Sequence, residues 1–319
     1  MKALLWDGHE ARVVDRDVPA PSDGMALVRV SLAGVCDTDL QIVRGYMGFC
    51  GVLGHELIGT VESGPDAWKG RRVVGEINFA CGICPTCRRG LGRHCPTRSV
   101  MGILSADGAF AESVAVPIAN LHAVPDSVPD DAAVFTEPLA AAFNLLEQVH
   151  VPPGMKATVL GDGKLGLLVA QVLQRAGASV LTVGKHRDKL DILARRGIET
   201  TLFADWSRSP SDLVVEATGT AAGFETALGV TRPRGTLALK STVADGVPLN
   251  LAPVVINEIQ VVGSRCGPFE PALQALATDA IDVRSLIAER VPLERAAEAL
   301  QIAGTKGTLK VLIENRRGG

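Results

Sequence analysis

The sequence predicts an α/β protein of two domains, and three observations support this. At 319 residues the chain is long enough for two separate hydrophobic cores. From residue 1 to about 150, short strand patterns are separated by Gly and Pro, which is typical of a small barrel or sandwich. After the break at Pro152-Pro153-Gly154, short apolar strands alternate with helices, which predicts a parallel sheet covered on both faces.

The strands of the first half are predicted from period-two alternation. Residues 26–32 (ALVRVSL) alternate between apolar and polar side chains, as a half-buried strand does. Residues 57–62 and 72–77 follow a similar pattern, with Gly and Pro between them.

The second half is predicted as strands and helices in series. Its elements are a strand over 157–161, a helix over 164–176 and strands over 179–183, 212–216, 235–239 and 260–262. From Pro268 the chain contains two helical patterns and a last strand over 308–313. We expect that strand to return to the first domain.

Composition excludes several classes of function. The chain is 47% hydrophobic and 21% charged, with a net charge of −3 and no basic run, which argues against a nucleic-acid partner. We expect no membrane span, because no uninterrupted apolar stretch reaches about 18 residues. The first residues do not resemble a secretion signal. A cytoplasmic location is therefore expected, where the seven cysteines would stay reduced and favour metal over disulfides.

Two nearby segments carry the residue types of a catalytic zinc site. Cys36 is followed by Thr38 and Asp39, and the run Gly54-His55-Glu56 begins fifteen residues after Asp39. Thiolate, imidazole and carboxylate are the donors that zinc accepts, and a catalytic zinc keeps one position open. The alternative is a buried apolar thiol and a hydrogen-bonded loop histidine.

A second cysteine cluster predicts a structural zinc lobe over residues 78–97. Its thiols lie in a CxxCxxC run followed by one more cysteine, and four thiolates at such spacings can close a tetrahedron around one zinc: Cys81, Cys84, Cys87 and Cys95. A redox CxxC pair is the alternative, but it leaves two thiols without a role.

A glycine-rich loop after the strand over 157–161 predicts a dinucleotide site. The loop fits GxGxxG, follows a strand and opens a helix, and its candidate contact residues are Gly161, Gly163, Lys164, Leu165 and Gly166. The glycines allow the turn and the approach of the pyrophosphate, and the helix N-terminus offers free N–H groups to it. The alternative is a glycine turn without a ligand.

The end of the next strand favours NADP(H) over NAD(H). An NAD enzyme usually has Asp or Glu there, whereas this chain has Gly184, followed by Lys185 and Arg187. These cations can bind a 2′-phosphate that a carboxylate would repel. The alternative is that they are solvated charges at the start of a helix.

Taken together, the Cys/His/Glu site, the four-cysteine lobe and the nucleotide fold resemble the zinc-containing medium-chain alcohol dehydrogenases over essentially the whole chain. The resemblance implies a GroES-like β-rich catalytic domain, residues 1–148 with 268–319, and a Rossmann doubly wound parallel-sheet domain, residues 149–267. It also implies a catalytic zinc in the cleft between the two domains.

The resemblance assigns roles to the site residues. Cys36 and His55 match catalytic zinc ligands, and Glu56 matches a glutamate that binds the metal directly or approaches it transiently. Thr38 matches the group that hydrogen-bonds the substrate oxygen, and Asp39 the carboxylate that orients the ligand histidine.

Further positions place the chain within that family. The segment from Thr136 to Ala140, with the sequence TEPLA, resembles the polyol and sugar dehydrogenase branch, in which Glu137 would be a zinc ligand directly or through water. Arg265 falls where members approach the nicotinamide end of the cofactor. Gln41 stands where many members of the family have a histidine that passes on the substrate proton, so the route by which this proton leaves the site is left open.

The implied activity is zinc-dependent hydride transfer between NAD(P) and an alcohol/carbonyl pair. Polyol, sugar or secondary alcohol oxidation and NADPH-dependent reduction of aldehydes or ketones both remain open, and a non-catalytic binding protein on this fold is a third alternative. The resemblance implies a homodimer or homotetramer, and the apolar segment from Gly235 to Gly263 is suited either to the joining edge or to burial in the core.

Overall fold

The structure is a computed structural model, which describes residues 1–241 and 249–315. The chain forms two compact units. Unit 1 comprises Met1–Glu137, Phe269–Thr278 and Leu286–Gly319, and unit 2 comprises Pro138–Pro268 and Asp279–Ser285. Residues 242–248 of the segment predicted as an edge, and residues 316–319 of the predicted first domain, lie outside the described part of the chain.

The amino-terminal part of unit 1 consists mainly of short strands. They are β1 (Lys2–Trp6), β2 (Ala11–Asp15), β3 (Met25–Gly34), β4 (Gly51–Val52), β5 (Glu56–Ser63), β6 (Arg72–Gly75), β7 (Asn78–Phe79), β8 (Ser99–Met101), β9 (Ser105–Ala106), β10 (Ser113–Pro117) and β11 (Leu121–Ala123). The helices among them are short: α1 (Asp37–Ile42), α2 (Pro85–Arg88) and α3 (Asp130–Ala133).

Strands and helices then alternate through the middle of the chain. The elements are α4 (Thr136–Gln148), β12 (Lys156–Leu160), α5 (Lys164–Arg175), β13 (Ser179–Gly184), α6 (Arg187–Ala194), β14 (Glu199–Leu202), β15 (Ser211–Glu216), α7 (Ala221–Val230), β16 (Thr231–Leu239), α8 (Ala252–Ile256) and β17 (Gln260–Gly263). The chain continues with α9 (Phe269–Ala277), β18 (Ile287–Pro292), α10 (Ala296–Gly304) and β19 (Lys310–Glu314).

The main sheet of unit 1 is organised around β3. Its strand order is β11-β6-β5-β3-β19-β18, with β10 also paired to β3. Because the alternation in β3 buries apolar residues such as Ala26, Val28 and Val30, this strand runs through the core. The last strand pairs with β3, with Leu312 opposite Gly34, so the prediction that it returns to the first domain is confirmed.

Unit 2 contains the predicted parallel sheet. The order is β14-β13-β12-β15-β16-β17, and every neighbouring pair is parallel. The chain adds β13 and β14 on one side of β12 and β15, β16 and β17 on the other. At such a switch point in the strand order the loops after the strands leave a crevice. Leu160 lies opposite Val183, so the loop after β12 and the end of β13 are neighbours.

Helix α4 divides between the units after its second residue. The body of α4 is anchored in unit 2, because Lys240 donates a hydrogen bond to the carbonyl of Ala141 and Asn144 donates one to Ser264. The compact units therefore differ from the predicted domain ranges over 138–148, at Pro268 and over 279–285. None of the helices described is long and apolar enough to cross a membrane.

Candidate functional site

The ends of β3 and β5 bring the predicted zinc donors together. Gly34 at the end of β3 pairs with Glu56 at the start of β5, so Cys36 and His55 lie just beyond two neighbouring strand ends. One ligand atom from each of Cys36, His55 and Glu56 lies within 4.8 Å of the others. His55 and Glu56 are buried, and Cys36 is half-buried.

The glycine at position 34 leaves room for the carboxylate of Glu56. A Cβ atom at Gly34 would lie 2.1 Å from Oε2 of Glu56, closer than any real contact. Any larger side chain would displace that carboxylate, which is fully buried.

Asp39 supports both Cys36 and His55. Cys36 forms the N-cap of α1, and its backbone N–H donates to Oδ2 of Asp39 at 2.8 Å. The other oxygen, Oδ1, is 3.2 Å from Nδ1 of His55, and neither of these two buried atoms makes a hydrogen bond of good geometry elsewhere. Asp39 therefore orients the imidazole and leaves Nε2 as the ring nitrogen available to a metal.

The electrostatics of this site favour a cation. Burial lowers the pKa of His55, but the nearby Asp39 carboxylate and the Cys36 side chain outweigh burial and hold the pKa well above its ordinary value. The buried anionic groups thus stabilise positive charge. Soft and borderline donors of these types match zinc, so the residues present fit the metal.

Thr38 lies in the first turn of α1, and its Oγ1 is 3.7 Å from Sγ of Cys36. The hydroxyl is half-buried, next to the candidate metal ligands. A group in this position can accept and pass on a proton beside a metal-bound substrate.

Lys310 is a site residue that sequence reasoning missed. Its Nζ lies 2.7 Å from Oε1 and 2.5 Å from Oε2 of Glu56, and it also donates to the carbonyl of Val35. Lys310 is 1% exposed, so this is a buried ion pair. A lysine inside the apolar pattern of residues 308–313 was the available signal, because an unpaired charge is rarely buried.

The four predicted cysteines form a compact tetrad in unit 1. The Sγ–Sγ distances are 3.5 Å for Cys84–Cys87, 3.6 Å for Cys95–Cys81 and 3.9 Å for both Cys81–Cys87 and Cys84–Cys95. A tetrahedral zinc with sulfur at about 2.3 Å requires thiolates about 3.8 Å apart. The tetrad therefore fits a zinc ion.

The thiols of this tetrad differ in pKa. Backbone N–H groups near Cys81 and the Thr97 hydroxyl lower the pKa of Cys95 to about 6, whereas burial and the Cys84 side chain raise the pKa of Cys87 to about 12. A bound dication would favour the thiolate form at all four positions.

The glycine loop joins β12 to α5 as predicted. β12 ends at Leu160 and α5 begins at Lys164, with Gly163 as its N-cap. A Cβ atom on Gly163 would meet nothing within 4 Å, so the backbone there faces open space beside the free N–H groups of the helix. This cradle fits a dinucleotide pyrophosphate.

The strand end next to the loop carries the predicted cofactor-discriminating residues. Gly184 ends β13, and the exposed side chains of Lys185 and Arg187 follow it. A guanidinium nitrogen of Arg187 is 3.9 Å from a carboxylate oxygen of Asp205, and both side chains are more than half exposed. Arg265 is exposed, and its carbonyl accepts a hydrogen bond from Lys240.

Comparison with known proteins identifies the family. Residues 22–126 match the alcohol dehydrogenase GroES-like domain, and residues 165–280 match the zinc-binding dehydrogenase domain. A D-altritol 5-dehydrogenase from Agrobacterium fabrum is 31% identical over 89% of this chain and 91% of its own length. The chain belongs to the zinc-type medium-chain alcohol dehydrogenases.

Solved structures share the fold of this alcohol dehydrogenase. A zinc-binding dehydrogenase from Sinorhizobium meliloti 1021, bound to NADP, superimposes with a TM-score of 0.90 at 26% identity, covering 98% of this chain and 99% of that one. An alcohol dehydrogenase from Escherichia coli CFT073, complexed with NADH, has a TM-score of 0.90 at 25% identity and covers 99% of both chains.

Family membership confirms two predictions. The protein combines a GroES-like domain with a Rossmann-like parallel-sheet domain, and it is an oxidoreductase that acts on CH–OH groups. The site residues are known by their geometry alone, and their roles remain proposals.

Glu137 is the one predicted zinc ligand outside the cluster of donors. It is the second residue of α4 and half-buried, and it is not among the ligand atoms grouped within 4.8 Å around Cys36. Which of Glu56 and Glu137 binds the metal is therefore a question for mutagenesis.

A third cluster, which sequence reasoning did not detect, lies elsewhere in unit 1. The imidazole of His122 is 3.2 Å from Glu76 on one side and 3.3 Å from Glu270 on the other. Glu270 is 73% exposed in its side chain. We interpret this group as side-chain contacts that connect β11 to α9, because each ring nitrogen already faces a carboxylate.

Proposed function

We propose that this alcohol dehydrogenase transfers hydride between NADP(H) and a polyol, sugar or secondary alcohol. The observation that carries the proposal is the grouping of Cys36, His55 and Glu56 within 4.8 Å, with Asp39 behind the imidazole. The TEPLA segment around Glu137 supports a polyol or sugar substrate, and the similar Agrobacterium enzyme is named for a polyol.

Cys36 and His55 would hold the catalytic zinc, with Glu56 or Glu137 as a third ligand. The metal would supply Lewis-acid chemistry, which lowers the pKa of the substrate hydroxyl. Asp39 would orient His55 through Nδ1, so that Nε2 is the ring nitrogen that would bind the metal once it has given up its proton. Lys310 holds Glu56 by both carboxylate oxygens, which restrains how closely this side chain approaches the ion.

Thr38 would receive the substrate proton at Oγ1. Its place in α1 fixes it beside Sγ of Cys36, so a hydroxyl bound near the thiolate lies within its reach. The onward route from Thr38 differs from that of relatives with a relay histidine, because Gln41 occupies that position and an amide does not titrate.

The nucleotide would bind along the glycine loop, and its nicotinamide would supply the hydride chemistry. Free N–H groups at the start of α5 and the cradle at Gly163 suit the pyrophosphate. Lys185 and Arg187 suit a 2′-phosphate, and the strand-end residue Gly184 itself has no carboxylate. Arg265 would lie toward the nicotinamide end.

We further propose a cytoplasmic homodimer or homotetramer. All seven cysteines are free thiols, which suits a reducing compartment. Within the described residues β17 pairs only with β16, and exposed apolar side chains lie on it and on the preceding helix α8: Val255 is 78% exposed and Ile256 76%. Such an edge is suited to association.

The test follows nicotinamide absorbance with zinc-loaded protein. NADP⁺ and NAD⁺ would each be combined with polyols, sugars and simple alcohols, and the reverse reaction would be run on aldehydes and ketones. Turnover of polyols or sugars with NADP⁺ is expected. Turnover of only aldehydes or ketones with NADPH would recast the protein as a reductase, and a preference for NAD⁺ would refute the role of Lys185 and Arg187.

Glutamine variants separate the two candidate ligands. Glu137→Gln and Glu56→Gln would each be assayed for turnover and for zinc content. The substitution that removes the catalytic zinc identifies the ligand. Silence of the wild-type protein across the whole substrate panel, with zinc bound only in the cysteine lobe, would favour the non-catalytic alternative.

A further inference from the structure

The carboxylate of Asp162 lies at the centre of a small hydrogen-bond cluster in unit 2. Its Oδ2 accepts from the backbone N–H of Lys185 at 2.6 Å and of His186 at 2.7 Å, and Nδ1 of His186 is 3.0 Å away. Asp162 is only 8% exposed although it stands inside the glycine loop. The loop thus contains a buried acid whose three donors all come from the end of the next strand.

An acidic residue in this loop requires explanation, because the loop and the start of α5 favour anions. A carboxylate aimed at a pyrophosphate would repel it. Here the three donors direct Asp162 toward Gly184 instead. A Cβ atom on Gly184 would lie 2.6 Å from Oδ2 of Asp162, so the acid occupies the space of the missing strand-end side chain.

The contact with Asp162 indicates that Nδ1 of His186 carries a proton. The two backbone N–H bonds and the imidazole, which outweigh the opposing effect of burial, hold the pKa of Asp162 below its ordinary value. An ionised carboxylate only accepts hydrogen bonds, so Nδ1 of His186 carries a proton. The ring is about one-third exposed, and Nε2 is its remaining polar atom.

We propose that Asp162 is a positioning residue that holds the segment Lys185-His186-Arg187 as a receptor for a phosphate monoester on the adenosine ribose, with His186 as a third binding group. This inference rests on the proposed use of NADP(H). Because Nδ1 of His186 faces Asp162, Nε2 is left to hydrogen-bond the phosphate, and the two backbone hydrogen bonds fix the positions of Lys185 and His186 at the strand end. Asp205 beside Arg187 is the nearby acid that competes for that guanidinium.

Binding of adenosine fragments tests the proposal without turnover. Isothermal titration would compare 2′,5′-ADP, which has single phosphates at the 2′ and 5′ positions, with 5′-AMP, which differs from it only by lacking the 2′-phosphate. Asp162→Ala and His186→Gln are expected to weaken 2′,5′-ADP by about 10-fold, as loss of a charge-assisted hydrogen bond does, and 5′-AMP by less than about 3-fold. Asp188→Asn, an exposed acid of α6, is the matched control and should change neither.

The opposite outcomes are distinct. Equal weakening of both ligands would mean that Asp162 only maintains the loop, and selective weakening of 5′-AMP would mean that it binds ribose hydroxyls; either overturns the proposal. A wild-type protein that binds 2′,5′-ADP no better than 5′-AMP would instead refute the use of NADP(H), and the inference with it.

A steric test covers the case in which single variants fold poorly. Gly184→Ala should lower the melting temperature, because its methyl group collides with Asp162, and Asp162→Ala in the same chain should restore most of the loss. Absence of this rescue would show that Asp162 does not fill the strand-end space. Asp162→Asn, which preserves shape without charge, should keep the fold and still lose preference for 2′,5′-ADP.

Discussion

Among single residues, Lys310 has a large effect on the candidate zinc site because it neutralises Glu56 in the core of unit 1. Both side chains are essentially inaccessible: 2% of the side-chain surface of Lys310 is exposed, and 0% of that of Glu56. Removing one partner leaves the other charge buried and unpaired, whereas removing both leaves none. Because breaking the pair would destabilise the fold, the pair holds the candidate zinc ligand Glu56 in place.

We expect Lys310→Met to lower the free energy of unfolding by about 3–5 kcal/mol, because Glu56 remains buried without its partner. Urea unfolding at matched zinc content would measure it, with Lys306→Met, at an exposed position, as control. Combining Lys310→Met with Glu56→Gln should recover most of the loss. A double variant as unstable as the sum of the singles would mean that the ion pair is not the cause.

Cys36→Ala tests the catalytic ligand directly. We expect turnover to fall by at least about 100-fold, since even residues behind metal ligands contribute about 10–100-fold. Metal analysis should show that the catalytic zinc is lost and the cysteine-lobe zinc kept. Cys50→Ala, at an exposed cysteine, is the matched control. Full turnover of purified Cys36→Ala would refute the assignment of this site.

Among the secondary-structure elements, three strands of the parallel sheet of unit 2 are connected by hydrogen bonds to one carboxylate. Asp212 on β15 accepts from Nε of Arg232 on β16 and from the backbone N–H of Lys156 on β12. These two interactions, first Arg232 and then Lys156, lower the pKa of Asp212. A depressed pKa in the folded state means that the contribution is present above the unfolded-state pKa and is lost as pH falls through the folded value.

Asp212→Asn is therefore expected to lower stability at pH 7 by about 1 kcal/mol, a modest figure because the pair is partly exposed. The difference from wild type should shrink as pH falls below the ordinary aspartate pKa of 3.8. Thermal unfolding between pH 7 and pH 3 would measure it. A difference that stays constant over this range would show that charge at Asp212 is not responsible.

Zinc binding by the cysteine lobe is expected to depend on pH. Zinc binds thiolates, so binding at pH 7 should release protons from thiols such as Cys87, whose pKa is raised to about 12. At pH 5.5 the release should increase, because Cys95, with a pKa of about 6, is then mainly protonated. Calorimetry of zinc addition to metal-free protein, in buffers of different ionisation enthalpy, measures the protons released.

A cysteine variant separates this lobe from the catalytic site. Cys87→Ala is expected to lower melting temperature or solubility before it affects the catalytic zinc, because the lobe is predicted to be structural. A Cys87→Ala protein with normal stability and no turnover would reverse the roles given to the two zinc sites.

At the scale of the whole molecule, the exposed edge at β17 and α8 should govern association. Ile256→Glu is expected to shift the protein from a dimer or tetramer to smaller species, since it introduces charge into an apolar surface. Light scattering after gel filtration measures this, and Val18→Glu, at another exposed apolar position, is the control. An unchanged mass for Ile256→Glu would exclude this edge as the interface.

The sequence by itself determined what depends on local order along the chain. Period-two alternation predicted β3 and β5, the change to alternating strands and helices predicted the parallel sheet, and the spacing of Cys81, Cys84 and Cys87 predicted the tetrad. These signals are readable because a strand, a glycine turn or a metal loop is specified by residues close together in sequence.

Tertiary structure alone decided the contacts that join distant segments. Lys310 reaches Glu56 only because β19 pairs with β3, and Asp162 reaches His186 only because β12 lies beside β13. No local pattern encodes such pairs, since their partners are set by strand order in the sheets. The physical reason is that a buried charge is tolerated only where the fold supplies its partner, and that partner is chosen by topology.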